Sequence, residues 1–115
     1  MKLSELTSKP VPAGTVPLSR KEAEVLLKQI NAWSLGVHTL GREFLFKNFH
    51  EAVDFVDRVA ALANEQDHHP DIFVSYNKVQ LTLSTHTIGG LSMNDFIMAA
   101  KIDVLADQKR GKKAA

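Results

Sequence analysis

A chain of 115 residues, 44% hydrophobic and with a net charge of +1, reads as one globular domain, because neither half alone could bury a proper core. It has no cysteine, which excludes disulfides and thiolate metal sites, and its near-neutral charge gives no general pull toward nucleic acid. No apolar run approaches the ~20 residues that span a bilayer, and Pro10, Pro12, Gly14 and Pro17 break up any signal-peptide core, so the expectation is a cytoplasmic protein with no membrane or nucleic-acid partner.

Residues 1–17 read as an irregular N-terminal arm, rich in proline and without periodicity. Ser19 and Glu22 then form a capping box, and Ala23, Leu26, Leu27 and Ile30 supply one apolar helical stripe ending near Asn31. Trp33, Leu35 and Val37 alternate as a half-buried strand does. Gly41 marks a turn, and Glu43 to Lys47 suits a second strand paired with the first. Asn48 caps the next helix, with Glu51 at its third position. Phe49, Ala52, Val53, Val56, Val59, Ala60 and Ala63 hold one face to about Glu65, and Glu51, Asp54, Asp57 and Arg58 take the other.

That helix delivers Asp67-His68-His69-Pro70 at its exit, and a second hairpin follows. Ile72, Val74 and Tyr76 alternate, Asn77-Lys78 suits a two-residue turn, and Val79, Leu81 and Leu83 alternate on the return. This turn predicts Tyr76 opposite Val79, Val74 opposite Leu81 and Ile72 opposite Leu83, so that every apolar residue meets another. Extended further, the same register sets His69 opposite His86, with Pro70 ending the strand because it has no N–H for the ladder.

Thr87-Ile88-Gly89-Gly90 reads as a flexible turn. Ser92 and Asp95 make a third capping box, stapled by Leu91 against Phe96, and Met93, Phe96, Ile97, Ala100 and Val104 form the buried stripe of the last helix. Lys109, Arg110, Lys112 and Lys113 make 108–115 a basic, flexible, solvated tail, leaving 18–107 as the single domain. The order helix, two strands, helix, two strands, helix specifies an α+β fold: a four-stranded, mostly antiparallel sheet covered by three helices.

His68, His69 and His86 are three of the five histidines, and imidazole exchanges protons near neutral pH, so the cluster raises a question of acid–base chemistry. Adjacent histidines in a turn are also common as plain surface residues. Three could hold zinc together with Asp67 or Asp95, but neighbours in an extended segment point apart and no His-x-x-x-His pair lies on a helix, so no metal is expected. Asp95, at the third helical position, bonds the cap and meets the positive end of the helix dipole, which suits it to orient or charge an imidazole. His38 and His50 read as surface or helix-start residues, and Trp33 and the phenylalanines as core. Gly89-Gly90 lacks the strand–helix unit of a phosphate loop.

Taken together, Asp67-His68-His69-Pro70-Asp71, Tyr76-Asn77-Lys78-Val79, Leu81-Thr82-Leu83-Ser84-Thr85-His86 and Gly90-Leu91-Ser92 with Asp95 closely resemble the signature of pterin-4a-carbinolamine dehydratases. The resemblance runs from Leu18 to about Leu105 and rests on the combined spacing rather than on any one piece. It implies a hydro-lyase that dehydrates a 4a-hydroxytetrahydropterin to quinonoid dihydropterin, without cofactor, in the recycling of tetrahydropterin for aromatic amino acid hydroxylases. It implies His68 and His86 as the acid–base pair, leaving open which is acid and which is base. His69 would position the pterin, with Asp67, Pro70, Ser84, Thr85 and Asp95 supporting the pocket, in a homodimer or homotetramer. Animal members typically carry tryptophan where this chain has Ile72, which bears on substrate preference. The alternative is a non-catalytic interaction module, or an accessory of molybdopterin metabolism, on the same fold.

Overall fold

Short-range hydrogen bonds start each helix. The computed structural model describes residues 2–114, with 109–114 given only as the course of the closing helix, so the tail side chains from Lys109 on lie outside the described residues. After a 3-10 turn at Leu3–Glu5 come α1 (Arg20–Leu27), β1 (Ser34–Leu35), β2 (Leu40–Leu45), α2 (Phe49–Gln66), β3 (Asp71–Ser75), β4 (Lys78–Leu83), a 3-10 turn at His86–Ile88 and α3 (Met93–Ala114). This is the expected α+β order. Ser19 Oγ accepts from Glu22 N at 3.1 Å while Glu22 Oε1 accepts from Ser19 N at 2.8 Å. Asn48 Oδ1 accepts from Glu51 N at 2.9 Å, and Asp95 Oδ2 accepts from Ser92 N at 3.0 Å. No helix among the described residues is long and apolar enough to cross a membrane.

The strands form one antiparallel sheet in the order β1-β2-β4-β3. Strand alternation turns Leu40, Phe44, Val79, Leu81 and Leu83 to one face, where they join Phe55 and Val59 of α2 and Phe96, Met98 and Ile102 of α3 in a single core. It turns Glu43, Leu45, Phe73 and Ser75 to the other face, where they are exposed. Phe55 stands between Phe44 and Phe46, with ring centres 4.8 and 5.0 Å away. Near the edge at β1, buried Asp103 accepts from Asn31 N (3.0 Å), Trp33 Nε1 (2.8 Å) and Arg42 Nη1 (2.5 Å), tying α3 to the first hairpin.

Several local expectations are corrected. The first hairpin turns at Val37-His38, closed by Gly36 N to Thr39 O at 2.8 Å. Gly41 therefore lies inside β2, and Val37 is 87% exposed. α1 stops at Leu27, after which Gln29 N and Ile30 N bond carbonyls only three residues back, a tighter winding that still carries Ile30 into the core. On α2 the buried line is Ala52, Phe55, Val59, Ala63 and Gln66. The aromatic contacts of Phe55 rotate the helix so that Phe49 and Ala60 face solvent. On α3, Met93 and Val104 are exposed and Met98, Ala99 and Ile102 are buried instead. Here the arm covers a second side of the helix, burying Leu3 and accepting Lys101 Nζ on Ser4 O at 2.9 Å.

The second hairpin is shifted by two residues. Val74 pairs with Val79 and Ile72 with Leu81, and the turn is Tyr76-Asn77. A two-residue shift preserves the inward face, so alternation alone does not choose between the registers. The choice comes from β2. Asn77 O accepts from Phe46 N at 2.8 Å and Asn77 Nδ2 donates to Phe46 O at 3.0 Å, fixing the turn against the neighbouring strand. Tyr76 takes the left-handed conformation at φ 51° as a result. The ladder ends at Asp71 paired with Thr82, and the expected opposition of His69 and His86 does not form.

Candidate active site

The end of α2 separates the two adjacent histidines. Asp67 adopts φ 50°, a left-handed closing residue, and His68 N reaches back to Ala63 O at 3.1 Å. This reversal folds His68 inward while His69 stays on the surface, its Nε2 3.0 Å from Asn64 Oδ1 on the last turn of α2. His68 is 9% exposed, and its Nε2 lies 2.6 Å from Oδ1 of Asp95, which is 0% exposed.

Asp95 is held from several directions. Its Oδ2 accepts Thr85 Oγ1 at 2.8 Å and Ser92 N at 3.0 Å. Thr85 has one hydroxyl proton, so with that proton on Asp95 the 2.7 Å contact with Ser92 has Ser92 as donor. Ser92 Oγ in turn accepts Asn94 N at 3.2 Å. The carboxylate is therefore satisfied on both oxygens, as burial of a charged group requires. It also sits in the first turn of α3, where the helix dipole favours negative charge. With Nε2–H given to Asp95, a neutral His68 ring has Nδ1 as its proton acceptor; a protonated ring would have the carboxylate as counter-ion.

A cavity of about 360 Å³ opens beside this pair. That volume lies within the range of small-molecule sites. Of the residues singled out in the sequence, His68, Asp67 and Thr85 line it, and Asp95 stands behind His68. His86 is exposed in its 3-10 turn, between Thr85 and Thr87, which both line the cavity. His69 and half-buried Pro70 are outside the lining, and Ser84 gives its hydroxyl to His38 O at 3.0 Å. Sequence reasoning missed Gln66, Thr87, Asn94 and the arm segment from Ser8 to Val11, all part of the wall. No spacing or residue type marks them. Among the described residues, no three histidine or acidic side chains converge as metal ligands.

A buried His–Asp pair at a cavity, with two further histidines on adjoining turns, accompanies a match of residues 16–105 to the family model for pterin 4 alpha carbinolamine dehydratase. The chain belongs to that family. A relative from Nitrosomonas eutropha, named provisionally as a pterin-4-alpha-carbinolamine dehydratase, is 46% identical over 104 residues, covering 90% of this chain and 92% of its own. A relative of the same provisional name from Nitrosospira multiformis is 48% identical over 97 residues, covering 84% and 86%. Among solved structures, one described as a transcriptional coactivator/pterin dehydratase from Brucella melitensis superimposes with a TM-score of 0.75 at 34% identity, over 78% of this chain and 98% of that one. A pterin dehydratase-like protein identified as a RuBisCO assembly factor in the alpha-carboxysome superimposes at 0.55 and 29% identity, over 64% and 86%. The dehydratase family thus shares this α+β fold, and the matched segment of this chain begins after the arm residues that line the cavity.

Proposed function

We propose that the protein dehydrates a 4a-hydroxytetrahydropterin to quinonoid dihydropterin by histidine acid–base catalysis, within tetrahydropterin recycling. In this reaction the bond from C4a to the hydroxyl oxygen breaks. One imidazole gives the departing hydroxyl a proton so that it leaves as water, and another takes the proton from the ring nitrogen, so the catalyst is regenerated by a net proton shift. His68 and His86 are the proposed pair. His69 positions the ring, Asp95 fixes and orients His68, Thr85 holds Asp95, and Asp67, Pro70 and Ser84 shape the turns around them. No metal or cofactor is needed for these steps. The observation that carries the reading is the 2.6 Å contact between His68 and Asp95 at the wall of the cavity, in a chain of this family. A buried imidazole with a charged partner is an arrangement that proton transfer uses and that packing alone does not require.

The test is the rate of dehydration of a freshly generated 4a-hydroxypterin compared with its spontaneous rate. Acceleration that is lost in a folded His68→Ala, His86→Ala double variant supports the proposal. No acceleration by the wild-type protein defeats it.

A second reading, a partner-binding module, has one observation in its favour. Edge strand β3 and its turn expose Phe73 and Tyr76, at 62% and 65%. The two structural neighbours described as a coactivator and as an assembly factor lend it weight. The same edge is the proposed site for assembly of a homodimer or homotetramer. A stoichiometric partner retained after loss of the histidines would favour this second role. A hydroxylase that consumes the tetrahydropterin is the proposed functional link.

A further inference from the structure

We infer that the N-terminal arm, through Ser8 to Val11, is a substrate-positioning wall of the His68 cavity, and that Asn94 and Gln66, which line the cavity beside it, are positioning residues that hold it in place. The inference rests on the dehydratase reading; the arm residues Ser8 to Val11 precede the matched segment 16–105, and Gln66 and Asn94 lie within it. Asn94 treats Lys9 as a neighbouring strand would. Its Oδ1 accepts Lys9 N at 3.0 Å and its Nδ2 donates to Lys9 O at 2.6 Å. Gln66 Oε1 accepts Ser8 N at 2.9 Å. Both amides are buried, at 8% exposure each, so the arm is fixed to groups that have little freedom of their own.

The placement of these two residues is informative. Gln66 is two residues before His68, on the last turn of α2, and Asn94 is the neighbour of Asp95 in the first turn of α3. Each clamp therefore shares a local element with one member of the histidine–aspartate pair, and arm and chemistry keep one frame of reference. Pro10 follows the clamped residue, and its fixed φ and missing N–H keep the arm from continuing as a paired strand.

The arm here is not filling a core. Lys9, Pro10, Val11 and Asn94 also border a second cavity of about 350 Å³, lined by apolar groups such as Leu6, Met93 and Ile97. A segment that borders two cavities and is held by three hydrogen bonds to two buried amides serves as a wall rather than as core packing. A ligand in the polar cavity would rest against it.

The test compares the full-length protein with Asn94→Ala, Gln66→Ala and their combination. Steady-state dehydration gives kcat and KM, and quenching of the intrinsic fluorescence of an oxidised pterin gives Kd. The double variant is expected to raise KM and Kd roughly tenfold while kcat stays within about twofold, because ground-state and transition-state binding weaken together. Asn94→Gln, which keeps both amide functions, should recover part of the loss. Lys101→Met frees the arm only at Ser4 and should leave both constants unchanged. If Asn94→Ala does not fold, Pro10→Gly with Val11→Gly perturbs the wall without touching α3 and should shift KM in the same direction. Unchanged KM and Kd in folded variants, a loss confined to kcat, or an equal effect from Lys101→Met would overturn the inference while leaving the dehydratase reading in place. A wild-type protein that neither binds pterin nor accelerates dehydration would remove both.

Discussion

Thr85 gives its hydroxyl proton to Asp95 Oδ2 at 2.8 Å and receives one from Ser92 at 2.7 Å. That single hydroxyl joins the exit of β4 to the start of α3. Thr85→Val keeps the shape but leaves the Ser92 donor and one lone pair of the buried carboxylate without a partner. We expect a loss of about 1–3 kcal/mol in stability. Urea denaturation should show a lower midpoint at unchanged slope, and Thr85→Ser should restore most of it.

Asp95→Asn tests the carboxylate itself. An amide presents one acceptor and a new donor to three groups that all donate, so the loss should be about 1.5–3 kcal/mol, the range for hydrogen bonds to charged groups. Dehydration should slow mainly in kcat, because the ring that loses its orientation and counter-ion is His68. A variant as active as the wild type would separate Asp95 from the chemistry.

The two adjacent histidines should behave differently. His68→Ala strips Oδ1 of the buried Asp95 carboxylate of its partner and removes the proposed acid–base group, with an expected fall in kcat of ~10²–10⁴-fold. His69→Ala changes an exposed side chain with one amide contact, so its stability should move by no more than about 0.5 kcal/mol. Its proposed role in positioning predicts a higher KM with kcat nearly unchanged. Parallel melts and steady-state kinetics distinguish the two.

Asp103→Asn provides a structural counterpart outside the lining of the His68 cavity. The carboxylate serves Asn31 N, Trp33 Nε1 and Arg42, whose guanidinium also lies 4.3 Å from the centre of the Phe44 ring. Removing its charge should cost about 1.5–3 kcal/mol and shift the fluorescence of Trp33, while kcat and KM of the folded fraction stay as in the wild type.

The three helix starts were legible because each depends on residues three apart: Ser19 with Glu22, Asn48 with Glu51, Ser92 with Asp95. The strand faces were legible from alternation. The register of the second hairpin was not, since a shift by two keeps every face and the deciding bonds run from Asn77 to Phe46, 31 residues away. Phe55 was missed as the centre of α2 because its partners Phe44 and Phe46 lie on another element. In the site, the motif carried His68 and Asp95. The inward turn of one histidine and the outward turn of the next depend on the left-handed Asp67, and the clamps at Gln66 and Asn94 on contacts 58 and 85 residues apart in sequence.

The misread turn yields its own prediction. Tyr76 holds φ 51° with an exposed side chain, a conformation that costs an L-residue ~1–2 kcal/mol. Tyr76→Gly removes that cost and exchanges it for chain entropy. We expect a net gain of about 0.5–1 kcal/mol, measured as a higher urea midpoint. A loss would mean that the tyrosine ring contributes more than its exposure suggests.

Asp95 both begins α3 and faces His68, and this bears on how relatives can be sorted. A family member that had abandoned its chemistry would still be held to an acid there by the helix start and by the hydroxyl of a residue like Thr85. Retention of the aspartate alone therefore reports on architecture. The histidine opposite it takes no part in the helix start, and its presence or loss is the more informative marker of whether a given relative keeps the proposed proton transfer.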